Sequence, residues 1–397
     1  MKKRLLVTGI IVLFLMLLSG AACTCKGEEA EGVNEVKFGI GLPLTGLMGT
    51  IVGWPGKYGF EFAAEKIGEF TVAGESYRWN LIIEDNQWGG MGGVSTATKF
   101  IYEDEVKIMH QAGADAAATA QYICEEAGVL LDVAGAGPDV LGPDKPHIFH
   151  TSPTYVLHTP AFFHWLTSHY PEVKTVAIAM SDDEIGHGVA DAAILAAEHF
   201  GYDVVSEDYY PPETWEFSHL ANKLVRKNPD LVIGSVLTLA PMKDMGWDGL
   251  TAFIGWTSGF GDLAGWDNVQ GFLIYQPNPL GADQPQAVKD FAREFREHYK
   301  ASFTMAAWYG ATVLYVMTEA LQKAGTVDDV DKIIEALETE TFDTMVGPLS
   351  YGGEELDGIG HMLVWPAPIA EIRDHSYHVI AEYTPEEAEA LAIEVYK

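Results

Sequence analysis

The stretch VKFGIGLPLTGLMGTIVGWPGKYGFEFAAEKI, Val36 to Ile67, sets the reading of the whole chain. Its start, VKFGIGL, is a short apolar run of strand length. The later part, YGFEFAAEKIGEF, repeats apolar residues every three to four positions, as a helix with one buried face does. A strand that feeds a helix is the first half of a βαβ unit.

The alternation continues outward from it. YRWNLIIED, VKIMH, GVLLDVAG and HIFHT read as strands, and VSTATKFIYED and AAATAQYICEEAG read as helices. Repeated βαβ implies a parallel sheet with helices on both faces. After a break near Thr151 to Thr159 the pattern restarts with TVAIAM, GVADAAILAAEHFG, YDVVSEDYY, FSHLANKLVRKN, DLVIGSV, a short helix around Met242 to Met245, and TAFIGW. A second α/β unit therefore begins there, in agreement with a length of 397 residues, about two ordinary domains. The strand GFLIYQP and the helices PQAVKDFAREFREHYK, TMAAWYGATVLYVMTEALQKAG and VDDVDKIIEALET follow. Beyond GPLSY the chain is strand-rich, with MLVW, IAEIRD and SYHVIAEY, before the helix TPEEAEALAIEVYK, which Thr384 can cap with Pro385 in its first turn.

The N-terminus carries Lys2, Lys3 and Arg4, an apolar run from Leu5 to Leu18, and Ser-Gly-Ala-Ala before Cys23. That run is shorter than the roughly 20 residues needed to span a bilayer, so residues 1–22 are expected to be a signal peptide and the remainder exported. Cys23, after small residues, is expected to be a lipidated N-terminus, with simple cleavage near Ala21 or Ala22 as the alternative. Residues 23–34 read as a flexible acidic tether. The formal net charge is −33, and loss of the three basic residues makes the mature chain more acidic still. Such a surface repels nucleic acid and anionic headgroups, which leaves the lipid anchor as the expected membrane attachment. Cys25 in the tether and Cys124 in an alanine-rich helix give no disulfide framework.

Catalytic and cofactor patterns are weak. GAGPDVLG, Gly135 to Gly142, has Val140 where a dinucleotide fingerprint needs its third glycine, and it follows the fourth strand instead of opening the fold. WGGMGG, Trp88 to Gly93, lacks the Lys and Ser/Thr of a phosphate loop. His147, His150, His158, His164 and His169 never fall four apart on one helical face, so no metal is expected. Ser258 in GWTSGF is wrongly spaced for a nucleophile elbow, and no enzyme activity or cofactor is expected. Asp182 and Asp183 in MSDDEIGHG lie at a strand end, where α/β folds place ligands.

The opening stretch resembles that of the type I periplasmic binding proteins, in the branch of the leucine/isoleucine/valine binding proteins. LIIEDNQ, VAIAMSDDEIGHG, EFSHLANKL, NPDLVIGSV and FDTMVGPLSYGGEELDGIG follow in the family's order, so the resemblance runs from Glu35 to about Ala381. It implies two α/β lobes, each a parallel sheet flanked by helices, joined by three crossovers that close over a ligand. The crossings are expected near Thr151 to Thr159, Tyr275 to Leu280 and Met345 to Pro348. Lobe 1 would then be residues 35–152 plus 275–346, and lobe 2 residues 153–274 plus 347–397. The implied role is delivery of a small solute to the permease of a membrane ABC importer.

The ligand is where the chain departs from that pattern. In amino-acid-binding members the turn matching HQAGADA carries a Ser that grips the α-carboxylate, and Ala114 stands there, after Gly113. Ala136 and Gly137 replace an Ala-Thr pair, Ile185 replaces a Tyr, and Thr257 stands near the acid that holds the ammonium. Each hydrogen bond to a charged group contributes roughly 1.5–3 kcal/mol, so losing two or three weakens binding by about a thousandfold or more. The aromatic residues Trp54, Trp88, Tyr155 and Trp256 remain as wall candidates. The expected ligand is less zwitterionic than an amino acid: an aromatic or branched carboxylate, or an amide. His110 and Gln111 would restore some polarity, with His110 making binding pH-dependent; alternatively, His110 only ties its strand end to a neighbouring loop. A sensor of the same fold, feeding a membrane kinase or chemoreceptor, is the second functional reading.

Overall fold

A computed structural model describes residues 33–397 apart from 136, 213, 256–260, 262, 263 and 282. The expected signal peptide, Cys23, Cys25, the tether up to residue 32, Ala136, Trp256, Thr257 and Ser258 lie outside the described residues.

The first sheet is built from β1 (Asn34–Leu42), β2 (Glu69–Val72), β3 (Glu75–Asp85), β4 (Ile108–Ala112), β5 (Leu130–Ala134) and β6 (Ile148–Phe149), in the order β2-β3-β1-β4-β5-β6. All pairings are parallel except the β2–β3 hairpin. Its crossover helices are α1 (Trp54–Ile67), α2 (Gly90–Tyr102) and α3 (Ala114–Ala127). The register sets His110 of β4 beside Ile40 of β1 on one side and Asp132 of β5 on the other.

The chain then passes to a second layer. It opens with α4 (Tyr155–His169), then β7 (Thr175–Ser181), α5 (Glu184–His199), β8 (Asp203–Tyr210), α6 (Ser218–Lys227), β9 (Leu231–Gly234), α7 (Leu239–Asp244), β10 (Leu250–Phe253) and β11 (Leu273–Ile274). Sequence periodicity misses α4 because apolar residues lie on every side of it, and its buried residues run without interruption from Tyr155 to Phe163. A helix enclosed on all faces has no amphipathic stripe to detect. The helix also contains Pro160, which reads in sequence as a break.

After β11 the chain returns to the first layer. Helices α8 (Gln286–Tyr299), α9 (Met305–Ala324) and α10 (Val330–Thr339) complete its core with Val288, Phe295, Trp308, Leu314 and Ile333. Contact between α1 and α9 is close: a Cβ on Gly59 would lie 2.1 Å from the Ala307 carbonyl oxygen, so only glycine fits there.

The third crossing differs from expectation. β12 (Thr341–Thr344), β13 (Gly347–Gly352) and β14 (Met362–Leu363) form a small sheet of their own. Phe342, Leu349, Tyr351 and Leu363 from it join the first core. Met345 to Pro348, expected to cross between lobes, is instead the turn of the β12–β13 hairpin, where Gly347 takes φ +109°. The passage comes later, at residues 364–366, between β14 and β15 (Ala367–Arg373). Strands β15 and β16 (Ser376–Tyr383) then extend the second sheet, whose order is β16-β15-β11-β10-β9-β7-β8. The final helix, α11 (Pro385–Tyr396), starts in a capping box in which Thr384 and Glu387 exchange hydrogen bonds.

Candidate ligand-binding site

The C-terminal ends of β1, β4 and β5 meet those of β7, β9 and β10 around a cavity of about 330 Å³. One side is made by Leu42, Met48, Ile51, Phe60, Trp88 and His110. The other is made by Tyr155, Met180, Asp183, Ile185, Ser235 and Phe253. The crossings contribute Thr154 and Gln276, and α9 contributes Met305 and Tyr309. Among the described residues, the wall holds no Lys or Arg, and Asp183 is its one carboxylate.

Of the residues singled out from sequence, the fold brings together Trp88, His110, Tyr155 and Ile185 on the wall. Gln111 is not there. It is fully buried, donates from Nε2 to Thr96 Oγ1 at 2.6 Å, and accepts from Asn86 Nδ2 at 3.0 Å. It occupies space that a side chain on Gly41 would fill, since a Cβ there would lie 2.1 Å from Gln111 Oε1. Trp54 is also off the wall: it is 43% exposed, and its indole N–H closes a local turn on the Leu44 carbonyl at 3.2 Å.

Gly113 and Ala114 open α3 but do not line the cavity. Their bareness has a local cause. Gly113 takes φ +103°, and a Cβ on it would meet the Trp88 ring at 2.9 Å. The indole fills the space over this turn. Trp88 is held in turn by Asn86, whose Oδ1 accepts the Trp88 backbone N–H at 3.0 Å. Asn86 Nδ2 donates to the carbonyls of Gly41 and Ala112 as well as to Gln111. No motif marks Asn86, although LIIEDNQ contains it. Gly137 is also off the wall, with its Cβ position 2.9 Å from the Tyr155 hydroxyl.

Two helices beside the cavity carry a carboxylate at their start. Asp183 caps α5, accepting from Gly186 N at 2.9 Å and from Ser181 Oγ at 2.7 Å. Asp115 sits in the first turn of α3 without capping it, and burial, then the nearby Asp183 charge, raises its pKa above the ordinary carboxylate value. Helix N-termini attract anions, and at α5 that attraction is spent on the chain's own Asp183.

His110 is the polar feature of the opposite side. Its Nδ1 lies 2.6 Å from Asp132 Oδ2, and both side chains are buried. Its ring packs on Phe60 with centroids 5.2 Å apart. Asp132 Oδ1 accepts the Thr151 N–H at 3.0 Å and the Thr151 hydroxyl. On the second lobe, burial pushes the Tyr210 hydroxyl up to about 12, against a weaker opposing effect of its hydrogen bond with Ser235. Tyr309 donates to the Pro277 carbonyl at 2.5 Å and Gln276 to the Pro153 carbonyl at 3.1 Å. Burial likewise raises the Tyr155 hydroxyl, so it stays protonated and able to donate.

The histidines that might have suggested a metal do not gather. His147 pairs with Glu125, His164 with the Tyr383 hydroxyl and His169 with the Trp165 carbonyl. Among the described residues no group of three or more His, Cys, Asp or Glu is placed to hold a metal ion.

Two layered α/β lobes joined by three passages around an apolar cavity define a protein that captures a small molecule between its halves. The family model of the periplasmic binding proteins matches residues 35–375, and the chain belongs to that family. Membership implies an extracytoplasmic location. A leucine-, isoleucine-, valine-, threonine- and alanine-binding protein of Pseudomonas aeruginosa is 24% identical over 283 residues, which is 68% of this chain and 74% of the relative. The leucine-binding protein LivK of Thermotoga maritima has the same fold, with a TM-score of 0.75 at 18% identity over 88% of this chain and 99% of that one. So does an ABC-transporter solute-binding protein of Rhodopseudomonas palustris solved with 3,4-dihydroxybenzoic acid, with a TM-score of 0.75 at 20% identity over 88% and 98%. These relatives are solute-binding proteins.

Proposed function

We propose that the chain is the solute receptor of an ABC importer, exported and anchored through a lipid on Cys23, and that it delivers a small organic solute to the importer's permease. The solute is mostly apolar: an aromatic or branched carboxylate, or the corresponding amide. One observation carries this reading. The cavity wall is apolar on both sides, it has no Lys or Arg among its described residues, and an indole covers the turn expected to grip an α-carboxylate.

A free amino acid brings two charges into that space, and desolvating a charge without a paired partner is costly. A flat or branched apolar body buries favourably against Phe60, Trp88, Ile185 and Phe253, at roughly 25 cal/mol per Å² of apolar surface. Native mass spectrometry of gently purified protein would reveal a retained ligand. Thermal shift across amino acids, aromatic acids, amides and ureas would then rank the classes. Clear stabilisation by leucine, isoleucine or valine, with none by aromatic acids or amides, would overturn the reading. Recovery of a sensor kinase and no permease in a pull-down would instead favour the signalling role.

A further inference from the structure

The cavity must hold any polar end of its ligand with very few groups. Asp183 caps the N-terminus of α5, and Ser181, Gln276 and Tyr309 are committed to protein acceptors. His110 differs from them. Its Nδ1 lies 2.6 Å from Asp132 Oδ2, while Asp132 Oδ1 accepts from the Thr151 N–H and hydroxyl, so the Nδ1 edge of the ring is taken up within the protein. Nε2 has no protein partner among the described residues, in a ring that forms part of the cavity wall. Across the cleft the Tyr155 hydroxyl is likewise without a protein hydrogen bond among the described residues.

From this geometry we propose that the receptor takes up its ligand as an organic acid together with one proton, which is held on His110 Nε2 and donated to the ligand carboxylate. This rests on the reading above of a receptor for a small apolar solute, and it selects the acid over the amide. The charge count gives the reason. Beside the Asp183 carboxylate on the wall, Asp132 stands behind His110, and no Lys or Arg among the described residues meets an entering carboxylate. Protonation of Nε2 offsets the charge that the ligand brings and supplies a charge-assisted hydrogen bond at the point of contact. No bond other than N–H forms, and the proton comes from solvent.

Asp132 is the positioning residue. It fixes the orientation of the ring through Nδ1. The other titratable groups nearby are Tyr351, beyond the Thr151 hydroxyl, and His150, Tyr155, Tyr210, Tyr309 and Asp183, which share the cavity wall with the ring. From α1 the Phe60 ring packs on it.

Because proton and acid binding are linked reciprocally, the affinity for an acid falls about tenfold per pH unit once the free protein no longer holds the proton. The experiment is titration calorimetry with benzoate, 3,4-dihydroxybenzoate and benzamide from pH 5.5 to 8.5, in buffers of different ionisation enthalpy. The expected result is benzoate binding that weakens toward high pH with uptake of up to one proton, against a flat profile for benzamide. His110→Gln, checked for folding by circular dichroism, flattens the acid profile. Asp132→Asn, which loosens the ring, weakens the acid more than it weakens the amide. An acid that binds the wild type with a pH-independent Kd overturns the proposal alone, as does an acid profile that survives His110→Gln. No response to any acid, with amides bound, also overturns the proposal but leaves the apolar-solute reading standing. No response to acids or amides overturns both.

Discussion

The indole N–H of Trp365 donates to the Thr151 carbonyl at 2.8 Å, which joins the first and third passages between the lobes. Both residues are fully buried. Thr151 also reaches Asp132 through its N–H and hydroxyl, and its hydroxyl lies 2.6 Å from the Tyr351 hydroxyl. One residue therefore ties two hinge passages to the carboxylate behind the cavity histidine. Removing one partner of a buried hydrogen bond costs about 1–3 kcal/mol. Trp365→Phe keeps most of the packing and should lower stability by that amount in urea unfolding, with the cavity wall intact. An unchanged midpoint would mean that the bond contributes nothing to holding the hinge.

A second expectation concerns Asn86, which does not line the cavity. Its amide donates to three acceptors and its carbonyl receives the backbone N–H of Trp88. Trp88 takes φ +58°, a left-handed conformation that a bulky residue adopts only when its surroundings hold it. Asn86→Leu leaves buried acceptors unpaired and lets Trp88 relax. Stability should fall by roughly 2–4 kcal/mol, and the indole resonance of Trp88, assigned by Trp88→Phe, should shift or broaden. A sharp, unmoved resonance would show that the indole is held by packing on Gly113 alone.

Much of this architecture is legible in the chain because three-to-four-residue periods mark helices with one exposed face, and short apolar runs bounded by turns mark buried strands such as β4, β5 and β9. The Thr384 cap is readable from its residue types, whereas β2 reads in sequence as the tail of the helix in YGFEFAAEKIGEF. Legibility fails where a helix is enclosed on all faces or where chain direction changes without a composition signal. Helix α4 has no polar face around Leu157, Ala161 and Phe162 to set its period. The true third passage follows Leu363, inside a run that reads simply as MLVW, whereas GPLSY looks like a boundary because Gly347 makes a hairpin turn. At the site, His110 faces the wall and Gln111 does not, although they are sequence neighbours. Alternation along a strand separates them, and only the register with β5 shows which of the two meets Asp132.

A further expectation concerns the two turn residues that the resemblance sets against amino-acid-binding members. By that resemblance alone, Ala114→Ser with Gly137→Thr should improve amino-acid binding. In the fold neither residue lines the cavity, and a Cβ at 137 would lie 2.6 Å from Asp139 Oδ1 and 2.9 Å from the Tyr155 hydroxyl. Gly137→Thr should therefore displace Tyr155 and lower stability by about 1–3 kcal/mol through overpacking. Calorimetry with leucine should show no gain for the double variant. A gain would place this turn at the ligand after all.

His158 gives the chain a defined response to acid. It lies in α4, fully buried, and burial pulls its pKa down to about 3, with only a weaker opposing contribution from the Pro366 carbonyl. In the unfolded chain the same imidazole titrates near the ordinary histidine value of about 6.5. Above that pH both states hold it neutral, and stability does not depend on it. Between about 6.5 and 3 the unfolded chain binds a proton that the folded chain refuses, so stability falls with pH by about 1.4 kcal/mol per unit for this one group. Folded carboxylates such as Asp230, whose pKa lies below the usual range through hydrogen bonds to Lys174 and Thr175 that outweigh its burial, add to the loss only further down, below about pH 4. Urea unfolding at pH 7.5, 6, 5 and 4.5 should therefore show a decline that begins near 6.5 in the wild type. His158→Gln should remove most of the slope between 6.5 and 4.5 while leaving the more acidic part in place, even if the variant is less stable at pH 7.5. The same slope in both proteins over that interval would assign the acid sensitivity to another group.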